Sequence, residues 1–209
     1  MKKIFTGVMI SMTLTCSAFA QAVYVGVEGG AVAFKDETDD IANTYVNDYN
    51  AYSASVEQDA GTVALRPFVG VEFTENIALE FGLMSFSQDT SVEGSYSGGF
   101  YKESWERAWR TVDFSALLRP AADSQLHGLF ARIGGHSTKS TYEFKSSLGG
   151  RENNSETKSG ALFGLGYDWF FGESRAHHAL RLSFTHYGNV AGLEDDSLNI
   201  LGVGYFYRF

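Results

Sequence analysis

The chain has 209 residues, with 25 acidic against 16 basic side chains, a net charge of −9, 23 glycines and one cysteine. The acidic balance argues against nucleic acid as a partner, and a single cysteine allows no internal disulfide framework. No stretch reaches the ~20 apolar residues of a membrane helix, so any membrane span must be made of strands.

The N-terminus reads as a secretory leader. Lys2 and Lys3 precede an apolar run from Ile4 to Leu14, and Ala18-Phe19-Ala20 gives a small-x-small cleavage pattern. The spacing predicts a signal peptide over 1–20 and one mature domain over 21–209. Cleavage removes Cys16, Lys2 and Lys3, and takes the net charge from −9 to −11. Thr15, rather than a small residue, stands before Cys16, which argues against a lipoprotein.

Period-two alternation then recurs along the chain. The first run, 23–34, sets Val23, Val25, Val27, Ala31 and Ala33 against Tyr24, Gly26, Glu28 and Gly30. The second, 62–74, sets Val63, Leu65, Val69, Val71 and Phe73 against Arg66, Phe68, Gly70 and Glu72. After the turn Thr74-Glu75-Asn76, the third covers 77–87, with Ile77, Leu79, Phe81 and Leu83 opposed to Ala78, Glu80 and Gly82. The fourth, 105–119, ends at Pro120 and opposes Val112, Phe114, Ala116 and Leu118 to Asp113, Ser115 and Arg119. The fifth, 127–138, opposes Leu129, Ala131 and Ile133 to Arg132, Gly134 and His136. The sixth, 158–170, opposes Phe163, Leu165, Tyr167 and Trp169 to Gly164, Gly166 and Asp168. The seventh, 178–187, opposes Leu180, Leu182 and Phe184 to Arg181 and Ser183. The eighth is the tail, with Leu201, Val203, Tyr205, Tyr207 and Phe209 against Ile200, Gly202, Gly204, Phe206 and Arg208.

These runs have the length of tilted membrane strands. Short connections follow the second, fourth and sixth. Longer ones, about 35–61, 88–104, 139–157 and 188–197, follow the others. The reading is an all-β fold: an eight-stranded antiparallel transmembrane barrel with short periplasmic turns and four longer extracellular loops. The apolar face lies outside, with Phe73, Tyr167, Trp169, Tyr205 and Tyr207 as an aromatic girdle near the short turns. A soluble sandwich would bury that face.

The tail LGVGYFYRF resembles the terminal signature of bacterial outer-membrane barrels. Arg181 to Phe209, RLSFTHYGN…DDSLNILGVGYFYRF, resembles the last hairpin of the small OmpA-like barrel superfamily. The resemblance implies outer-membrane insertion in a Gram-negative cell, contact with lipid and lipopolysaccharide, and recognition by the barrel-assembly machinery through Val203, Tyr205, Tyr207 and Phe209. It covers the barrel only; the peptidoglycan-binding domain of full-length OmpA has no counterpart in the sequence.

By parity, Glu28, Glu72, Glu80, Asp113 and Asp168 point inward, as do Arg66, Arg119, Arg132, Arg181 and Arg208. An eight-stranded barrel is just wide enough for side chains to fill it, and a charge inside is tolerable only when paired. The balanced set predicts a salt-bridged plug. The alternative is a narrow gated pore or small-solute conduit, with Glu28, Arg66, Asp113 and Arg132 as the gate. Inward glycines are expected to make room for the arginines and aromatic rings.

An enzyme is the minor alternative, because some small barrels modify lipid A. His186 faces outward, but the position two residues on, a serine in lipid A deacylases, is Gly188. Without a nucleophile beside the base, acyl transfer has no attacking group. His177 and His178 lie at a turn with no third ligand evident, so neither metal nor cofactor is expected. The loops are acidic and tyrosine-bearing: Glu37, Asp39, Asp40, Glu57 and Asp59 with Tyr45, Tyr49 and Tyr52, and Glu194-Asp195-Asp196 in the last. The expected role is a non-enzymatic, monomeric surface protein whose loops mediate adhesion or colonisation through a protein or host-surface partner.

Overall fold

The computed structural model describes residues 21–34, 37–47, 51–121, 124, 126, 128–171, 177–193 and 196–209. The signal peptide expected over 1–20 lies outside the described residues, as do Tyr49, Glu194 and Asp195. The elements are β1 (Ala22–Ala33), α1 (Thr38–Asn47), β2 (Ser53–Gln58), β3 (Gly61–Thr74), β4 (Ile77–Tyr96), β5 (Gly99–Leu118), β6 (Leu129–Ser146), β7 (Gly150–Phe171), β8 (His178–Gly188) and β9 (Ser197–Arg208).

Eight strands close into a ring. Each from β3 to β8 pairs antiparallel with the next, and β1 lies between β3 and β9. The closing ladder runs from Tyr24↔Arg208 to Val32↔Ile200. Phe209 extends it, its N–H donating to the Val23 carbonyl at 2.8 Å. Every outward apolar residue of the alternating runs keeps its side: Val63, Leu165 and Val203 are 62–70 % exposed on the protein itself. A continuous belt of bare Val, Leu, Ile and Phe is what lipid covers.

Two of the expected long loops are strands. Residues 88–104 continue β4 and β5, which meet at the turn Ser97–Gly98, and 139–157 continue β6 and β7, which meet at Ser147–Gly149. Their pairings run without a break, from Ile77↔Leu118 to Tyr96↔Gly99 and from Leu129↔Tyr167 to Ser146↔Gly150. Gly149 takes a positive φ of 95° at the second turn. The 35–61 connection is also ordered over its described part. It carries α1 and then β2, which sits outside the ring and pairs with upper β4 from Ser53↔Ser95 to Gln58↔Thr90. Of the four expected loops, 188–197 is the one whose described residues between Gly188 of β8 and Ser197 of β9 form no helix or strand.

α1 forms here because Asp39 and Asp40 occupy its first turn, where carboxylates favour the exposed N–H groups. Its Ile41 and Tyr45, one turn apart, pack onto Ala51, Val92 and Tyr101. The Tyr45 ring stacks on Tyr101 with centroids 5.6 Å apart, and its hydroxyl donates to Glu103.

Candidate functional site

The ten inward charges form one connected chain of ion pairs. At the periplasmic end, Arg208 binds Glu72 at 2.6 Å and Glu72 meets Arg119 at 3.6 Å. Arg119 reaches Asp168 at 2.9 Å, and Asp168 accepts from Arg181 Nε at 2.7 Å. Arg181 then binds Glu80 at 2.5 Å. Glu80 is the hub, with Arg132 at 3.0 Å and Arg66 at 3.5 Å on its other oxygen. Arg66 holds Asp113 with two donors, at 2.6 and 2.9 Å, and Glu28 at 3.2 Å. Arg132 also lies 3.7 Å from Glu28.

The sequence placed these residues on one face but could not rank them. Glu80, outside the four residues expected as a gate, contacts three arginines. Neutral partners extend the lattice: Tyr24 donates to Glu80 at 3.0 Å, Arg132 donates to Thr185 at 3.1 Å, and Ser183 donates to Glu28. Inward parity was the available signal for all three. Arg181 is also enclosed by the rings of Phe68, Phe130 and Phe206, 4.7–5.0 Å from their centroids. Such cation–π contacts gain strength when desolvated.

Two glycines show how this density is reached. A Cβ on Gly82 would sit 2.6 Å from Arg66 Nε, and one on Gly70 would sit 2.0 Å from the Tyr24 ring. A void of about 10 Å³ remains beside Glu28, Arg66 and Arg132, room for roughly one water.

Above the charges the lumen changes character. His136 Nε2 donates to the Gly188 carbonyl at 2.8 Å, and its Nδ1 lies 3.0 Å from the Thr138 hydroxyl. Higher still, Phe34, Trp109 and Phe86 stack, with centroids 5.6 and 4.8 Å apart. Trp109 is fully buried, and its Nε1 donates to the Ala191 carbonyl at 2.8 Å. Leu162, Tyr187, Val190 and Leu198 pack around it as an apolar cap across the outer mouth. Arg107 clamps the 188–197 loop by donating to the Gly192 carbonyl at 2.6 Å.

The extended hairpins carry the outward-facing polar surface. Asp89 stands directly opposite Glu106, and Glu106 opposite Glu143, a cross-strand row of like charges. Only Glu143 has cations within 4 Å among the described residues, Lys145 at 3.1 Å and Arg151 at 2.8 Å. These hold its carboxyl below the usual carboxylate range, the Lys145 hydrogen bond most of all. At the crest, three apolar side chains have no cover: Phe100 is 88 % exposed, Tyr52 74 % and Leu148 60 %.

The histidines are placed as follows. His186 Nδ1 lies 2.8 Å from Asn199 Oδ1 on the outer wall, with Gly188 two positions on. His177 Nδ1 meets the Arg208 carbonyl at 2.9 Å, and His178 Nδ1 meets the Tyr205 hydroxyl at 2.5 Å.

A closed ring of eight antiparallel strands, apolar outside and charge-paired inside, defines an outer-membrane β-barrel of a Gram-negative bacterium. Residues 18–209 match the OmpA-like transmembrane domain, and the chain belongs to that family. The fold is similar to Ail, the attachment invasion locus protein of Yersinia pestis, solved with the heparin analogue sucrose octasulfate. That comparison has a TM-score of 0.52 at 12 % identity, covering 90 % of this chain and 99 % of Ail. The N-terminal β-barrel domain of Pseudomonas aeruginosa OprF matches with a TM-score of 0.47 at 11 % identity, covering 91 % and 99 %. Among curated proteins, none matches the chain by sequence.

Proposed function

We propose that the protein is a non-enzymatic surface adhesin, in which the barrel is an anchor and the extracellular sheet is the binding element. The observation that carries this reading is the extension of two hairpins as paired strands well beyond the apolar belt. On β4 the last outward apolar residue of the regular alternation is Leu83, yet pairing to β5 continues to Tyr96. Thirteen residues at ~3.3 Å each, tilted ~40°, raise the crest about 30 Å above that residue. Ordering so much backbone outside the membrane costs entropy that no lipid burial offsets. A rigid platform ending in exposed Phe100, Tyr52 and Leu148 suits protein recognition, where aromatic anchors dominate binding energy.

The sulfated ligand of the Ail structure is a polyanion. The row Asp89, Glu106 and Glu143 disfavours such a ligand on this face and favours a neutral or cationic protein surface. The filled lumen and its aromatic cap support an anchoring role over conduction. In the same reading, Val203, Tyr205, Tyr207 and Phe209 form the assembly signal, and lipid and lipopolysaccharide surround the belt.

The test is attachment of cells displaying the protein to immobilised host-matrix proteins. Replacing Phe100 and Tyr52 together by Ser should reduce attachment while heat-modifiable gel migration stays intact. Undiminished attachment by that folded variant would refute the crest as the binding surface.

A further inference from the structure

Among the described residues, no strand pairs with one edge of the upper half of β7. Its pairing with β6 runs to Gly150, but its pairing with β8 starts only at Leu162↔Tyr187. From Gly150 to Thr157 every residue is exposed, on both faces of the strand. Exposed edges are usually blunted by proline, bulges or charged side chains. This segment, GRENNSETK, has no proline, its ladder to β6 is unbroken, and its four charges, Arg151, Glu152, Glu156 and Lys158, balance in sign, so a partner of matching pattern can pair with them. The Ser159 carbonyl accepts from Asn189 Nδ2 at 2.7 Å, so residue 159 points its backbone groups towards the open side. By antiparallel alternation, Thr157, Ser155 and Asn153 present theirs on that same edge.

We propose that this edge pairs with the same edge of a second copy on a facing cell, joining the two extracellular sheets into one. The proposal rests on the adhesin reading and names its partner. Backbone geometry decides between the two ways in which copies can meet. Two copies in one membrane run β7 in the same direction, and the two-fold along the membrane normal that relates them puts Asn153, Ser155 and Thr157 of both copies level, without the one-residue stagger that a parallel ladder needs. Copies in opposed membranes meet antiparallel. A two-fold axis perpendicular to the sheet keeps each face continuous, so opposed residues share parity.

The register centred on Ser155 then places Glu152 of each copy opposite Lys158 of the other, twice by symmetry. It also sets Asn153 opposite Thr157 and Ser155 opposite Ser155. A register centred on Asn154 opposes Glu152 to Glu156, and one centred on Glu156 opposes that residue to itself. Lys158 already lies 2.7 Å from Asp196 and 3.5 Å from Glu156, an acid-rich setting that keeps it charged and at the edge. Each junction is short, but many act together between two cells, and avidity multiplies them.

The test uses intact cells with truncated lipopolysaccharide, each expressing the full chain. Wild-type cells should aggregate. Glu152→Lys or Lys158→Glu turns both attractive pairs into repulsive ones and should weaken pairing about tenfold, so that each variant population alone stays dispersed. Mixing the two populations restores both pairs and should restore clumping. Ser155→Cys cells carrying two different epitope tags, grown apart and then mixed, should give a disulfide-linked dimer containing both tags. Heat-modifiable migration verifies that each variant is folded. A mixture no better than its components, single variants that clump like wild type, or dimers confined to one tag would each overturn the proposal. Dispersed wild-type cells that still attach to host matrix would overturn it and leave the adhesin reading standing.

Discussion

Removing one cation from the lumen should cost far more than removing a matched pair. Asp113 is the informative carboxylate, because Arg66 is its sole cationic partner within 4 Å among the described residues, held by donors at 2.6 and 2.9 Å. Arg66→Met leaves that carboxylate buried and unpaired at the level of the lipid. Breaking a buried pair from one side typically costs about 3–5 kcal/mol. Asp113→Asn in the same chain removes the orphan charge, and the double variant should lose only about 1–2 kcal/mol, mostly packing and hydrogen bonds. Asp113→Asn alone should cost about 1 kcal/mol, because Arg66 keeps Glu28 and Glu80, so the coupling energy is about 3–4 kcal/mol. Urea unfolding in lipid vesicles, followed by tryptophan fluorescence and gel migration, measures all four corners of the cycle. The contrast is Arg181→Met. Glu80 keeps Arg132 and Arg66, and Asp168 keeps Arg119, so no acid is orphaned although three ring contacts are lost. Additive effects of Arg66→Met and Asp113→Asn would refute the account of the lumen as a charge-compensated plug.

Gly82→Ala should destabilise the barrel by about 1–3 kcal/mol in the same unfolding assay, because the new methyl meets the Arg66 guanidinium. Trp109→Ala should cost about 3–5 kcal/mol and open the cap; accelerated hydrogen exchange at the 188–193 segment would report it. Planar bilayers should show no steady current through the wild-type protein, and a reproducible current abolished by Arg132→Ala would argue for the pore instead. Deleting Phe209 removes its bond to Val23 and should lower the yield of heat-modifiable protein in the outer membrane several-fold. Lipid A mass spectra should be unchanged by His186→Ala.

What the sequence determined by itself was the membrane-embedded part. Alternation with period two assigns each residue to lipid or lumen, because each strand residue faces either hydrocarbon or a crowded interior. Those solvents are opposite enough that Val, Leu and Phe separate cleanly from Gly, Glu and Arg. Short turns at 75–76 and 97–98 look equally local, yet only the first was legible. On upper β7 both faces meet water, so Glu152 to Lys158 show no apolar period, and on upper β4 and β5 the face under α1 buries Val92, Tyr101 and part of Trp105, too few to make one. Their strand state is held by cross-strand backbone bonds, which leave no mark on composition. The partners in the lumen were likewise decided only by the tertiary structure. Parity placed Arg66 and Asp113 on the same side, but which carboxylate each arginine meets depends on strand register and tilt, which carry residues 47 positions apart to one level of the barrel. The same closure stacked Phe34, Trp109 and Phe86 across the mouth and, among the described residues, left the upper edge of β7 without a paired strand. Both follow from where a strand stops pairing, and pairing is a property of two segments together.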